Sequence, residues 1–204
     1  MPANDAVTYY PENSNQWRKW LIKHHLQEDG VWVILYKKQA NKPSISWSEA
    51  VDEALCFGWI DSIKKTLDAE RSIQFFSKRK PKSTWSKINK QKVQKLIEAG
   101  KMAPAGFESI KIAQQNGSWN LLDDVEELVV PDDLEQAFTQ HKGSKEYFSG
   151  LSKSLKKMML QWIVLAKQPT TRQKRIDEIA AHAGQGQRPK QFLSLQDIKI
   201  LDKP

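Results

Sequence analysis

The stretch between residues 31 and 79 most constrains the fold, because strand and helix signals alternate within it. It opens with a run of β-branched and aromatic residues over 31–38, which is typical of a buried strand. Ser46 and Glu49 then form a capping box, in which the two side chains satisfy otherwise free N–H groups at a helix start. The apolar spacing that follows predicts an amphipathic helix over 47–57.

Two strands follow this helix, which ends at Gly58 because glycine tolerates a left-handed backbone. They cover residues 59–67 and 71–79 and are joined by a turn of three residues. Such a loop would place Ile63 opposite Phe75, Asp61 opposite Ser77 and Trp59 opposite Arg79. Together with the first strand, the pattern predicts a small sheet containing one right-handed βαβ unit.

Beyond residue 80 the sequence predicts helices, which begin at Ser, Thr or Pro and mostly end at Gly or before Pro. Ser83 or Thr84 is expected to cap the first of them. The predicted fold class is α+β: a small sheet of about three strands with several helices, followed by a helical C-terminal lobe. The predicted domains are an α+β lobe over 12–120, a helical lobe over 131–184 and a loosely ordered tail over 185–204.

Composition restricts the cellular setting and the chemistry. The single cysteine, Cys56, excludes an internal disulfide and is typical of a reducing compartment. No apolar run approaches the roughly 20 residues that cross a bilayer, and no leader pattern opens the chain, so a cytoplasmic location is expected. The common nucleotide, zinc-protease and hydrolase motifs are absent, and neither a metal site nor a cofactor is predicted.

The positive charge of this basic protein is concentrated in blocks. The formal net charge is +8, and residues 78–101 alone carry nine basic groups and one acidic group. Lysines interleaved with Trp85 are typical of a phosphate-binding surface, which makes nucleic-acid binding by this segment one alternative function. The other interpretation is a solvated lysine face on an amphipathic helix.

Three polar residues stand where packing alone does not explain them. Asp61 follows a predicted helix end and would face Arg79 across the hairpin, as part of a polar pocket or as a surface ion pair. Asn89 falls within the apolar arc of its helix, where an amide needs partners. Arg172 heads an apolar stripe and is expected to meet a carboxylate or an anion, supplied by Asp61 or by the acidic block 123–135.

These residues predict a cleft that binds a small anionic or zwitterionic ligand between the two lobes. Its predicted lining consists of Trp47, Trp59, Asp61, Arg79, Trp85, Asn89 and Arg172. Aromatic walls with a few charged groups suit such a ligand. A catalytic role for Asp61 with one of the arginines is a further alternative, although no recognisable catalytic motif supports an enzyme.

Several sequence blocks occur in an order that resembles the YdeI/OmpD-associated family. They are WSEAVDEALCFGWID (47–61), WSKIN (85–89), GKMAPAG (100–106), GSW (117–119) and TRQKRI (171–176). The resemblance extends from about Trp17 to Ala183. It departs at residues 77–80, where members often have a Pro-Arg-Arg run and this chain has Ser-Lys-Arg-Lys.

The resemblance implies a role more than a reaction. The C-terminal part of the family is called a bacteriocin-protection domain, and the family is associated with resistance to antimicrobial peptides and with an outer-membrane porin. We therefore expect a ligand- or partner-binding protein linked to bacteriocin or cationic peptide resistance. Neither the identity of a protein partner nor the oligomeric state follows from the sequence.

Overall fold

The computed structural model describes residues 7–193 of the chain. In this part the protein has nine α-helices and one sheet of four strands, which confirms the predicted α+β class. The chain divides into two compact units between Asn120 and Leu121. No described helix has the length and apolar character needed to cross a membrane.

The first unit contains the sheet and four helices. Its elements are β1 (Thr8–Tyr9), α1 (Ser14–His24), β2 (Gly30–Tyr36), a 3₁₀ turn (Lys38–Ala40), α2 (Trp47–Cys56), β3 (Trp59–Thr66), β4 (Arg71–Lys78), α3 (Lys87–Glu98) and α4 (Pro104–Gln115). The strand order is β1-β2-β4-β3, with β1 parallel to β2 and the other pairs antiparallel. Strands β2 and β3 therefore run in the same direction and are linked through α2, as predicted, with β4 between them.

The β3–β4 hairpin differs from the predicted register because β3 contains a bulge. Near the turn, Lys64 pairs with Gln74, which agrees with a three-residue loop. Between Asp61 and Lys64 one extra residue is inserted in β3, so Asp61 pairs with Phe76. The prediction that Asp61 lies opposite Ser77 and Trp59 opposite Arg79 is therefore wrong by one position. Because side chains alternate along a strand, this shift carries Asp61 to the face of the sheet that the helices cover.

The helix caps show how local sequence sets the boundaries. Ser46 and Glu49 form the capping box of α2, and Gly58 adopts the predicted left-handed conformation with φ +72°. The cap of α3 is Ser86, which accepts a hydrogen bond from the backbone N–H of Asn89. The expected cap at Ser83 or Thr84 is therefore wrong, because residues 83–86 follow a turn at 81–82 without helical structure and the helix begins at Lys87.

The core of the first unit lies between one face of the sheet and its helices. Val31, Val33 and Leu35 of β2 and Phe76 of β4 pack with residues of all four helices. A stack of aromatic rings closes one side of this core, with Trp17 and Trp20 at 5.2 Å between ring centroids. Strand β1 was not predicted, because a strand of two residues is too short to show the alternation of apolar and polar residues that identifies a strand.

The second unit is helical. Its elements are α5 (Asp123–Glu126), α6 (Asp132–Phe138), α7 (Ser144–Gly150), α8 (Lys153–Val164), α9 (Pro169–Gly184) and a 3₁₀ turn (Lys190–Phe192). Leu134, Phe148, Ile163 and Ile176 lie in its core. Phe192 is also buried and packs edge-on against Trp162, so part of the predicted loose tail belongs to this core. The rest of that tail, residues 194–204, lies outside the described residues.

Candidate functional site

Asp61 accepts two hydrogen bonds from side chains of the first unit. Trp47 Nε1 at the start of α2 donates to Asp61 Oδ2 over 2.9 Å, and Gln74 Nε2 on β4 donates to the same oxygen over 3.2 Å. Gln74 is 2% exposed, so this bond satisfies a buried amide. Trp47 is 49% exposed, and its ring forms the outer side of the group.

Arg79 follows β4 and stacks on Trp85. Its Cζ atom lies 3.7 Å from the centroid of the indole ring, and one terminal nitrogen donates to the carbonyl of Thr84. Trp85 is buried and packs in turn against Trp119, with 4.9 Å between centroids. The guanidinium thus lies over a buried indole ring in a cation–π contact.

Two nitrogens of Arg79, Nε and Nη1, are buried and have no hydrogen-bond partner. Burial lowers the pKa of Arg79 to about 10, and the nearby Asp61 carboxylate acts in the opposite direction. A buried N–H donor without an acceptor costs roughly 1–3 kcal/mol. Among the described residues Arg79 is therefore the side chain whose polar groups are least satisfied.

A pocket of about 320 Å³ opens beside Arg79 in the first unit. It is lined by His25, Leu26, Phe57, Gly58, Trp59, Lys78, Arg79, Pro81, Ala105, Glu108, Ser109 and Ile112. The floor is mainly apolar, whereas the charged groups come from the end of β4 and from α4. Such a combination of apolar lining and a few polar groups is typical of a small-molecule site.

The pocket depends on a close approach of α4 to the end of α2. The backbone N–H of Ala103 donates to the carbonyl of Cys56 over 3.0 Å. A Cβ atom at Gly106 would lie 2.3 Å from that same carbonyl oxygen, and one at Gly58 would lie 2.8 Å from the carbonyl oxygen of Ala105. The sequence blocks 47–61 and 100–106 therefore meet in space, and their glycines are required by this contact.

The pocket lining carries charges of both signs. Lys78 Nζ is held by the carbonyl of Leu26 at 3.0 Å and by Asp29 at 3.1 Å, although the Asp29 side chain is 98% exposed. The Nδ1 atom of His25 is hydrogen-bonded to the carbonyl oxygen of Leu21, at 2.8 Å. Glu108 of α4 supplies a carboxylate that has only a long contact with Lys111, at 3.9 Å.

The remaining predicted site residues of the first unit are less central. Trp59 lines the pocket but is almost fully buried, and its Nε1 donates to the carbonyl of His25 over 3.2 Å. Asn89 is partly buried on the first turn of α3, where its backbone N–H meets the cap Ser86. The structure thus joins Trp47 with Asp61 and Arg79 with Trp85, and these two pairs are linked electrostatically through Asp61 and Arg79.

Arg172 belongs to the second unit, where it has a complete partner. Its Nε and Nη2 donate to the two carboxylate oxygens of Asp133 over 2.7 and 2.9 Å. Such a bidentate pair satisfies the fork of the guanidinium. The partner comes from the acidic block 123–135, one of the two sources that the sequence allowed. A cleft that combines Arg172 with the six residues of the first unit stays a prediction.

Parts of the basic segment 78–101 are bound within the first unit. Lys78 is engaged as described, and Lys92 contacts Asp52 at 2.5 Å and the Ser48 hydroxyl at 2.8 Å. These contacts use some of the positive charge to hold α3 against α2. Within residues 7–193 no group of three or more His, Cys, Asp or Glu could hold a metal ion.

Sequence reasoning missed the apolar lining of the pocket and four of its polar residues: His25, Lys78, Glu108 and Ser109. Lys78 was treated only as part of a basic run, and the others carry no motif. The available signal was the spacing of small residues in 103–106, which indicates that a helix approaches another backbone closely. Read with Gly58, it points to the surface where α4 meets the end of α2.

Comparisons with known families divide the chain in two. Residues 9–109 match a model described as a domain of unknown function, and residues 127–186 match the model described as "Bacteriocin-protection, YdeI or OmpD-Associated". Comparison with curated proteins and with solved structures found no significant match. Of the blocks that carried the resemblance, only the one at 171–176 lies inside the second match, and those at 47–61, 85–89 and 100–106 lie inside the first. The chain therefore carries the domain of the YdeI/OmpD-associated family over residues 127–186, next to a second domain whose own family has no assigned function.

Proposed function

We propose that the first unit binds a small anionic or zwitterionic ligand in the pocket beside Arg79, and that this binding serves a role associated with bacteriocin protection. The role comes from the family matched by residues 127–186. The ligand class comes from the lining of the pocket in the first unit. The two parts of the proposal rest on different observations and are tested separately.

The observation that carries the ligand class is the incomplete bonding of Arg79. Two of its nitrogens are buried without an acceptor, while the pocket that it lines also contains Lys78 and His25. An oxyanion that reached the guanidinium would supply an acceptor to Nε or to Nη1, each of which shares one edge of the guanidinium with Nη2, in the paired geometry that a carboxylate or phosphate offers. Binding would then offset a cost already present in the free protein.

A zwitterion is the more specific form of this ligand. Its acidic group would meet Arg79, and its ammonium group would meet Glu108, which the same pocket presents from α4. The apolar floor formed by Leu26, Phe57 and Ile112 would contact an aliphatic or aromatic side chain. A free amino acid or a short peptide end has this pattern of groups.

The ligand class is tested by titrating the protein with inorganic phosphate, acetate and leucine while following the Arg79 Nε–H signal and the backbone N–H signals of the pocket residues Gly58 and Ser109 by ¹⁵N NMR. We expect saturable shifts of these signals, and loss of the backbone shifts in Arg79→Lys, which keeps the charge but removes the fork. Arg175 is the matched control, because it also stacks on a tryptophan, Trp162, at 4.9 Å. Unchanged signals with all three probes, or an equal effect of Arg175→Lys, would contradict the proposal.

The protective role is tested in cells. A bacteriocin-sensitive bacterial host that expresses this chain should survive bacteriocin exposure better than one that carries an empty vector. If Arg79→Lys retains protection although ligand binding is lost, the pocket is separate from the protective role. If the wild-type chain gives no protection against a panel of bacteriocins, that role is rejected and the binding proposal stands on the titration alone.

A further inference from the structure

The sheet of the first unit has a second face that the helical core does not use. We define this outer face by the strand positions Trp32, Ile34 and Tyr36 of β2, Lys65 of β3, and Arg71, Ile73 and Phe75 of β4. On each strand these positions alternate with those that face the core. Across the two central strands they are direct partners: Trp32 pairs with Phe75, Ile34 with Ile73 and Tyr36 with Arg71. Ile34, Tyr36, Ile73 and Phe75 are all partly exposed.

Aromatic rings occupy the centre of the outer face. Trp32 and Phe75 lie on the two central strands with 5.0 Å between ring centroids and a 56° tilt. The Phe75 ring lies over the backbone of Gly30, where a Cβ atom would come within 2.4 Å of the ring. Tyr36, at the end of the same strand as Trp32, makes an edge contact with Tyr10 at 5.1 Å. The glycine thus leaves room for a ring that lies flat along the strand.

The charges on this face have one sign. Lys65 Nζ lies 4.6 Å from the centroid of Trp32, and Arg71 stands opposite Tyr36. None of the seven positions that define the outer face is acidic. Arg71 also forms an ion pair with Asp68 in the turn, at 2.6 Å, so a phosphate would have to share Arg71 with this carboxylate. Cationic groups without an acidic residue among the seven positions suit an anionic partner.

We propose that the outer face binds single-stranded nucleic acid, with bases stacked on Phe75 and Trp32 and phosphates close to Lys65 and Arg71. Open sheets with aromatic residues on central strands are a common platform for unpaired bases, because every base has a face that can stack. Trp32 is only 9% exposed, since Phe75 and Lys65 lie against it. Lys65 is exposed, and the rotatable stem of a lysine lets its ammonium group move from the ring to a phosphate as a base arrives.

This site is separate from the basic segment 78–101 and from the pocket beside Arg79. The outer face uses the alternate positions of the strands, on the side opposite the core to which Trp85 and Phe76 belong. The nucleic-acid proposal can therefore be tested independently of the proposed ligand-binding function. Residues of the first unit outside the outer face serve as controls for its test.

The experiment measures binding of a fluorescein-labelled oligothymidylate of about 15 nucleotides by fluorescence anisotropy, within the span of known single-strand sites. We expect binding at low salt that weakens as salt rises, and weaker binding of a duplex of equal length. Phe75→Leu should weaken binding by roughly fivefold or more, because stacking on the ring is lost. Lys65→Gln should make the slope of log affinity against log salt concentration shallower by about one, because one phosphate contact is lost.

Matched controls carry the same changes elsewhere in the first unit. Phe107→Leu removes an exposed ring from α4, and Lys95→Gln removes an exposed lysine from the basic segment. Both should leave the affinity unchanged, and thermal melting of each variant checks that it is folded. The proposal is overturned if no binding occurs at low salt, or if the control variants weaken it as much. It is also overturned if the wild-type protein is a dimer that Phe75→Leu dissociates, because the face is then buried between two copies.

Discussion

Each unit of the protein stacks an arginine on a tryptophan, yet the two arginines differ in how their polar groups are satisfied. Arg175 lies 4.9 Å from the Trp162 ring and donates to the carbonyl of the same residue. Arg79 lies closer to its ring, at 3.7 Å, and keeps two buried nitrogens without a partner. Stacking on a tryptophan is therefore shared, whereas buried guanidinium nitrogens without a partner occur, within residues 7–193, only at Arg79. The difference teaches that stacking alone does not separate the two arginines, and that the bonding of each guanidinium does.

The largest effect is expected where the stack belongs to the core. Trp85→Ala removes a side chain that is 1% exposed beneath Arg79, so it should lower the free energy of unfolding by about 3–5 kcal/mol. Trp162→Ala, at a partly buried ring, should cost about 1–2 kcal/mol.

Urea denaturation separates the two units if exposure of the single thiol is followed. Cys56 is buried in the first unit and burial raises its pKa, so it should react with a thiol reagent only after that unit unfolds. Equal losses of unfolding free energy in Trp85→Ala and Trp162→Ala would show that the two stacks contribute equally to stability, which contradicts the prediction.

A second pair of substitutions tests the close approach that forms the pocket. Gly58→Ala forces a left-handed alanine, with φ +72°, against the carbonyl of Ala105, and should cost about 2 kcal/mol or more. Gly186 of the second unit has φ +67° with no atom near its missing Cβ, so Gly186→Ala should cost only about 1 kcal/mol. Chemical denaturation of both variants measures the difference, and similar losses would mean that α4 does not restrict Gly58.

Asp61→Asn should have a smaller effect on stability and a specific effect on Arg79. Trp47 and Gln74 donate to the same oxygen, which an amide can replace, but hydrogen bonds to an uncharged acceptor are weaker, so we expect a loss of about 1 kcal/mol. Removing the negative charge also removes the influence that raises the pKa of Arg79, so this pKa should fall below about 10. A ¹⁵N NMR titration of the guanidinium measures it, and an unchanged pKa would separate Asp61 from the Arg79 site.

The smallest change in stability is expected at Arg79 itself. Arg79→Met loses a cation–π contact of about 1–2 kcal/mol and the hydrogen bond to the Thr84 carbonyl. It also removes two buried donors that lack acceptors, at roughly 1–3 kcal/mol each, so the unfolding free energy at neutral pH should be nearly unchanged. Arg175→Met, which removes a stacked arginine without buried unpaired nitrogens, should destabilise the protein slightly more.

The pH dependence gives a second measure of the same comparison. Because the pKa of Arg79 is about 10 in the folded state, below its ordinary value, the unfolded chain binds more protons once the pH passes about 10. Wild type should therefore gain stability relative to Arg79→Met as pH rises through about 10. A loss of wild-type stability relative to the variant over this range would contradict the assigned pKa shift.

Local signals in the sequence predicted the elements well. The capping box at Ser46 and Glu49 and the glycine at position 58 fixed both ends of α2, because each acts through its own backbone neighbours. The register of the hairpin failed beyond Ser62, since a bulge depends on packing that the turn cannot determine. The cap of α3 was placed too early because Ser83, Thr84 and Ser86 are all suitable cap residues.

The site was predicted less completely than the fold. Trp85 was recognised as part of an apolar arc and Arg79 as a polar neighbour, but their stacking follows from the turn that separates β4 from α3. Arg172 and Arg79 looked alike in the sequence, and only tertiary contacts show that one is fully paired and the other is not. Pocket residues such as Glu108 and Ser109 carry no local signal at all.

The bulge in β3 means that this strand is one residue longer than its pairing with β4 needs. Deleting Ser62 would give an unbroken ladder in which Ile63 pairs with Phe75. Residues on both sides of the deletion would keep their partners on β4 and therefore their faces, so Trp59 would stay in the core and Asp61 would keep Trp47 and Gln74. The first unit should therefore tolerate a one-residue deletion at Ser62, although in an unbulged strand the same deletion would move the side chains on one side of it to the opposite face.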